Sequence, residues 1–459
     1  MEKQTEKKRI QKLGFGLMSA CFLQILGGMV LGNYGPYIFT DIAGIPYGTA
    51  SACMFVVSAL GIVNALVAGA QIQQTRSKMG QFRPWVALGS PVLLFGGLLM
   101  FVKLPNALLT TAIVSIGYCV TQLILNYTAT AEYGLQMKMA GDNSEARNTL
   151  ASRYWAGINI AYIIGGFILV PMIDILGGGD EAKGFNMTHL ILGALACVGM
   201  LIFMKISKPY DLPNKHEAGE EVEKVNFGEM VKGVIHNRPG RTLFLAGTFR
   251  VLAYAVLMAL MAYQCEYVIG DMMAMSYFLA GSGILAVIAN LAAPVISEKL
   301  GGRKKTAMLG VGIAAVVFAM LCFFGKTLWG FTIITCVGYF FVSMADTLEP
   351  VMYADAGEYY LNKTGKDTRA YMLSMSTLAA KIGYTVSALV LGAVLGLIAY
   401  DPTVAMSAES ANMLNIATGA VPAVCYALYV VILCFHGVSD KEIEKCIEEN
   451  AEKYEPLPE

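Results

Sequence analysis

The stretch FVSMADTLEPVMYADAGEY (residues 341–359) places four carboxylates, Asp346, Glu349, Asp355 and Glu358, along one apolar segment, and the next apolar run, ending at Ala399, holds Lys381. An Asp, Lys or Arg at the centre of a bilayer costs roughly 2.5–3.5 kcal/mol to insert, so such groups need a polar surrounding or one another. Two readings are open: a wet path between helices where these charges meet water and solute, or an ion pair that only fastens two helices together. Asp346 and Glu349 stand three residues apart, on one helical face. Pro350 follows at once; it removes an amide donor and bends the helix where the acids sit.

The rest of the chain has the same apolar character. Of 459 residues, 56% are hydrophobic and 14% charged, too apolar a mixture for a soluble chain of this length. Apolar runs of about 20 residues, each able to cross roughly 30 Å of hydrocarbon, recur at 13–38, 47–72, 84–103, 108–137, 150–175 and 188–206. After a polar gap they resume at 242–268, 275–298, 306–325, 328–357, 371–399 and 413–436. The expectation is an all-α membrane protein of twelve transmembrane helices, with 48 glycines suited to close helix packing.

Lys and Arg cluster before span one (Lys7, Lys8, Arg9, Lys12), after span two (Arg76, Lys78, Arg83), in the central gap, and after span eight (Arg303, Lys304, Lys305). The opposite side has only Lys103, Lys183 and Lys326, so both termini are expected in the cytoplasm, with the chain in the cell membrane. A net charge of zero removes the electrostatic case for nucleic acid. The ten cysteines show no paired spacing and read as packing residues, so neither a metal nor a cofactor is expected. His189, His216, His236 and His436 fall near span ends or in loops and read as solvated or interfacial. No HExxH, GxSxG or Cys-His grouping points to an enzyme.

Two landmarks recur about 230 residues apart in the same order. The basic loop Arg76–Trp85 is matched by Glu298–Lys305, and the end of span one, Tyr37–Gly44, by Ala262–Asp271. This predicts two parallel six-helix halves, 1–206 and 242–438, in the major facilitator fold. A cytoplasmic connector at 207–241, with an amphipathic piece from Phe227 to His236, joins them, and the tail 439–459 is assigned only solubility.

These landmarks, together with Asp355-Ala-Gly-Glu-Tyr359 and Lys381-Ile-Gly383, resemble the glycoside-pentoside-hexuronide:cation symporter family, the group that includes melibiose permease. The resemblance implies a secondary active transporter of a small organic solute, a sugar, glycoside or uronide, working by alternating access as a monomer. Arg147, Asp355, Glu358, Tyr359 and Lys381 match the family's positions, and Arg153 is the counterpart of its substrate-contacting Arg. The family's cation-site acids, by contrast, fall on Gly61, Ala65 and Thr130, with Asn64 retained, and its sugar-binding Asp falls on Cys21.

Gly, Ala and Thr supply no carboxylate, so proton coupling is expected over sodium, carried by Glu349 or Asp346 with Lys381 as charge partner and Glu132 as a further acid. The expected solute cavity includes Arg153, Lys381, Asp346, Asn126, Asn64 and Arg250, whose positive charge favours an anion; Arg250 either lines the cavity or snorkels to the interface. A uniporter or symporter for an aromatic or steroid-like acid is the alternative, while the paired halves and basic loops argue against a channel or receptor. Arg76, Arg83, Arg147, Arg303, Asp355 and Glu358 are expected to act in gating, with anchorage to anionic lipid as the competing role for the basic loops.

Overall fold

Helices start where a short polar side chain can take up free amides of a first turn. A computed structural model shows this directly and describes residues 2–141, 144–211, 236–365 and 369–454. The side chains of a few helical positions, Arg147 among them, lie outside the description, as does the predicted amphipathic piece apart from His236. Asn106 accepts from the Leu109 amide (3.1 Å) and Asp180 from that of Lys183 (3.0 Å). Asn237 accepts from Gly240 and Thr327 from Gly330, both at 3.2 Å.

The described residues form helices and no strands. In order they are α1 (Glu2–Tyr37), α2 (Tyr47–Gln74), α3 (Arg83–Leu99), α4 (Ala107–Ala140), α5 (Ser144–Gly177) and α6 (Glu181–Ser207). Then follow α7 (Arg238–Tyr263), α8 (Met273–Leu300), α9 (Arg303–Ala319, continued by Leu321–Phe324), α10 (Leu328–Thr364), α11 (Arg369–Leu397), α12 (Ala408–Cys434) and α13 (Asp440–Tyr454). Eleven are long and apolar enough to cross a membrane. The third is shorter than its sequence suggests, 17 residues, because Met100, Phe101 and Val102 turn back in three-residue bonds to Gly97, Leu98 and Leu99. Spans one and seven both end in a wide π turn, Ile38–Ile42 and Gln264–Ile269. A glycine at positive φ closes each, Gly44 at +71° and Gly270 at +72°.

The residues group into two compact units, one drawn from Met1–Ala218, Cys265–Gly283 and Leu391–Ser410, the other from Gly219–Gln264, Ile284–Val390 and Ala411–Glu459. In the first, α1 packs on α5 and α6 around Leu17, Ala20, Leu135, Leu150 and Phe203. The helices approach closely because a Cβ at Gly157 would strike the Met18 carbonyl and one at Gly199 the Ala20 carbonyl. In the second, α10 packs on α7 and α9, and Met344 and Leu348 sit against Ala289 and Ala293 of α8. Outward residues such as Leu108 (80% exposed) and Ile175 (79%) are apolar, as a lipid-facing surface requires.

The basic loop before α3 is held by a residue from beyond α6. Buried Asp211 accepts from the Phe82 amide (2.8 Å), the Arg83 amide (2.9 Å) and Lys138 Nζ (2.9 Å). It thereby caps a helix from a distance. Gly80, at φ +105°, lies so close to Asp211 that no Cβ fits. Burial alone would raise the Asp211 carboxyl, but the Arg83 amide, Lys138 and the Phe82 and Gln81 amides outweigh it and hold the group below its usual range. A group whose folded value is depressed stabilises fully above its unfolded value, about pH 4, and loses that contribution as pH falls through the folded value. Asp211→Ala is expected to lower unfolding stability at neutral pH by roughly 2–3 kcal/mol, and the gap to wild type should shrink in acid. Thermal unfolding of both proteins across pH checks this; a gap that persists far below pH 4 would refute it.

Three expectations change. His189 and His436 are buried (0% and 2% exposed), not solvated or interfacial. Helix α6 begins at Glu181 and so carries His189 well inside the bundle, where its ring meets the Leu94 carbonyl at 3.2 Å. His436 pairs with Thr242 (2.9 Å), and burial with the Lys304 and Arg238 charges pushes its imidazole down to about 4. The tail, assigned only solubility, forms α13 and docks on α10: Asn450 donates to the Glu358 carboxylate (2.8 Å), and Asn362 to Glu449 (2.9 Å). Ile443 and Cys446 are buried.

Candidate functional site

Helical phase brings the charged residues of the second unit together. Asp346, Glu349 and Tyr353 lie at i, i+3 and i+7 of α10, and Gly247 and Arg250 at i and i+3 of α7, which packs against it. Arg250 Nε donates to Glu349 Oε2 at 2.5 Å, and its Nη1 donates to Asp346 Oδ1. The side chains of Arg250 and Glu349 are 14% and 5% exposed, whereas that of Asp346 is 40% exposed. Gly247 is what lets Glu349 lie against α7, since a Cβ there would collide with Oε1. Pro350 has no amide to offer the Asp346 carbonyl one turn back, so the ladder is interrupted at the triad. The buried phenols of Tyr353 and Tyr429 lie near the pair, and among the described residues neither hydroxyl has a hydrogen-bond partner. Unsatisfied buried hydroxyls beside a charged cluster leave bonding capacity that water or a solute could fill.

Arg250 therefore does not simply snorkel; it bonds both acids. Lys381, the partner named from the sequence, lies half-buried on α11, its backbone carbonyl accepting from Thr385 Oγ1 (2.8 Å).

A second polar cluster lies in the first unit. Glu132 of α4, 4% exposed, accepts from Tyr154 Oη of α5 at 3.0 Å. The Gln24 amide and the Cys21 thiol, both on α1, stand beside it. Among the described residues no ion pair forms at this carboxylate, whose polar neighbours are the neutral Tyr154, Gln24 and Cys21 side chains. A carboxylate with several lone pairs beside an amide with two N–H groups keeps capacity for a hydroxyl group, which donates and accepts.

The other predicted residues have more local partners. Arg153 stacks its guanidinium over Phe15 (4.8 Å to the centroid). Asn64 donates to the Leu123 carbonyl (3.0 Å) and Asn126 to those of Gly61 and Gln122 (3.5 Å each), which stitches α2 to α4. Arg303 pairs with Asp355 at 2.7 Å, Glu358 is held by Asn450, Arg83 donates to the Met79 carbonyl (3.2 Å), and Arg76 is exposed. The Arg147 side chain is outside the described residues. Sequence reasoning missed Gln24, Tyr154, Tyr353 and Tyr429. Only Tyr353 carries a signal, one helical turn from Glu349.

The family model described as MFS/sugar transport protein matches residues 16–440. The symporter YjmB of Bacillus subtilis is 25% identical, over 98% of this chain and 97% of its own. The isoprimeverose transporter of Lactiplantibacillus pentosus is 24% identical over 90% and 86%. Among solved structures, the nucleoside transporter NupG superposes with a TM-score of 0.65 at 14% identity, covering 92% of this chain and 98% of that one.

Proposed function

The chain belongs to the MFS/sugar transport protein family, a membrane transporter and not an enzyme, and on that premise we propose that it is a proton-coupled symporter for a small polyhydroxylated solute, preferentially anionic. The observation that carries the reading is the triad of one guanidinium between two carboxylates. With both acids ionised the site holds one excess negative charge, and taking on a proton cancels it. Asp346 is the accessible acid. Once protonated it releases one edge of Arg250, and a carboxylate, sulfonate or hydroxyl of the solute can take that edge in its place. Proton and solute then load together because each removes the other's competitor.

Glu132, Gln24 and Tyr154 would receive a hydroxyl of the solute. The two six-helix halves would rock by alternating access, with Arg303–Asp355 and the basic loops at the inner ends taking part in gating. The excess of Lys and Arg on one side supports cytoplasmic termini in the cell membrane, and nothing in this scheme needs more than one chain. An alternative, a carrier for a non-sugar organic acid, is favoured by the same Arg250.

Proteoliposomes offered a panel of external uronides, sulfonates, neutral disaccharides and aromatic acids test the reading. Uptake is expected to follow an imposed proton gradient, inside alkaline, and to be indifferent to sodium. Uptake driven by sodium alone would remove it.

A further inference from the structure

The landmark pair Tyr37–Gly44 and Ala262–Asp271 has no part in the scheme above, yet its polar residues meet. Within the first compact unit, Asp41 Oδ1 accepts from Tyr400 Oη (2.5 Å) and from Tyr267 Oη. The two phenol oxygens are 3.0 Å apart, and Thr40 Oγ1 donates to the other carboxylate oxygen at 2.6 Å. Three separate segments thus converge on one acid: the π turn after α1, the π turn after α7, and the loop after α11.

Tyr400 is aimed by a strained residue. Ala399 has φ +48°, the only positive φ of a non-glycine among the described residues. It occupies the left-handed position that ends α11, with Tyr400 N–H bonded to the Leu395 carbonyl (3.0 Å) and Ala399 N–H to that of Gly396 (3.1 Å). An alanine there is held against its preference of roughly 1 kcal/mol, and strain of this kind persists where the surroundings over-determine it. The neighbouring surfaces close tightly. A Cβ at Gly166 would strike the Ala280 backbone, and one at Gly392 the Ser51 side chain.

We propose that Asp41 is the catch of an outer gate, and that Tyr267 and Tyr400 fasten onto it when the carrier is shut to the outside and leave it when the carrier opens. The catch lies at the ends opposite the basic loops, so its placement as outer rests on the orientation given under Proposed function. A carboxylate bonded by two phenols holds firmly and can still be undone, because three oxygens exposed together are readily hydrated.

Cys265, two residues before Tyr267 and fully buried, reports the state of the gate. Intact cells carrying the full chain are treated with a membrane-impermeant maleimide, and the Cys265 peptide is followed by mass spectrometry. Tyr400→Phe, which loses one hydrogen bond to a charged acceptor, is expected to raise its labelling rate about tenfold, and Asp41→Asn, which takes the charge from all three bonds, at least as much. A rate unchanged or lowered in either variant overturns the proposal, and labelling confined to inside-out vesicles overturns the outer placement. If Asp41→Asn does not reach the membrane, Tyr400→Phe alone decides, since it loses one hydroxyl. The labelling needs no solute or gradient, so its failure is distinct from failure of the proton-coupled reading.

Discussion

Arg250→Ala is expected to abolish uptake and to lower unfolding stability by about 3–5 kcal/mol, the penalty for leaving a buried ion without its partner. Glu349 is the reason: at 5% exposure its carboxylate is largely shielded from bulk solvent, which could otherwise replace the guanidinium 2.5 Å away. Arg250→Lys should recover part of the stability and little of the transport, because an ammonium is a point charge and does not span two carboxylates as a planar fork does. The triple variant Arg250→Met, Glu349→Gln, Asp346→Asn separates folding from function. It should melt close to wild type, since no buried charge is left stranded, and carry nothing. Thermal unfolding in detergent and proteoliposome uptake measure the two arms. An Arg250→Ala protein with wild-type stability and kinetics would mean that the guanidinium holds nothing.

The second large effect is expected at Glu132. Glu132→Gln keeps the shape of the side chain, and its amide oxygen can still accept from Tyr154 Oη, so the protein should fold within about 1 kcal/mol of wild type. Uptake should nonetheless fall ten- to a hundredfold in kcat/KM, the value of a hydrogen bond between a hydroxyl and a charged acceptor, roughly 1.5–3 kcal/mol. A solute lacking the bonded hydroxyl should show little difference between the two proteins. Equal kinetic constants for wild type and Glu132→Gln, with every solute tried, would remove Glu132 from the solute site.

The spans were legible because an apolar run long enough to cross a bilayer has few other uses, and only their ends moved. The short α3 and the early start of α6 both reflect turn and cap chemistry, which hydropathy does not register. The acids of α10 were legible for the converse reason, since charge is costly in such a run. Their partner was not. Arg250 lies 99 residues from Glu349 in sequence, and nothing in one sequence ranks it above Lys381 as the cation that meets both acids. Cys21 and Glu132 were singled out separately, on α1 and α4, and packing alone shows that they stand together. The tail could have been read better: Ile443, Cys446 and Asn450 repeat at three and four residues, the spacing of a docking face.

Helix α10 spans 37 residues, roughly 55 Å. Asn450 and Glu449 bind α13 to its far end, so α13 and the Arg250 triad sit on one rod, on either side of Pro350. A bulky protein fused to the C-terminus would pull on that rod, and its effect on uptake should not be mistaken for a defect in expression. A small environment-sensitive dye in the same position would instead turn the rod into a pointer, and tilting at the ion site could be followed without touching it.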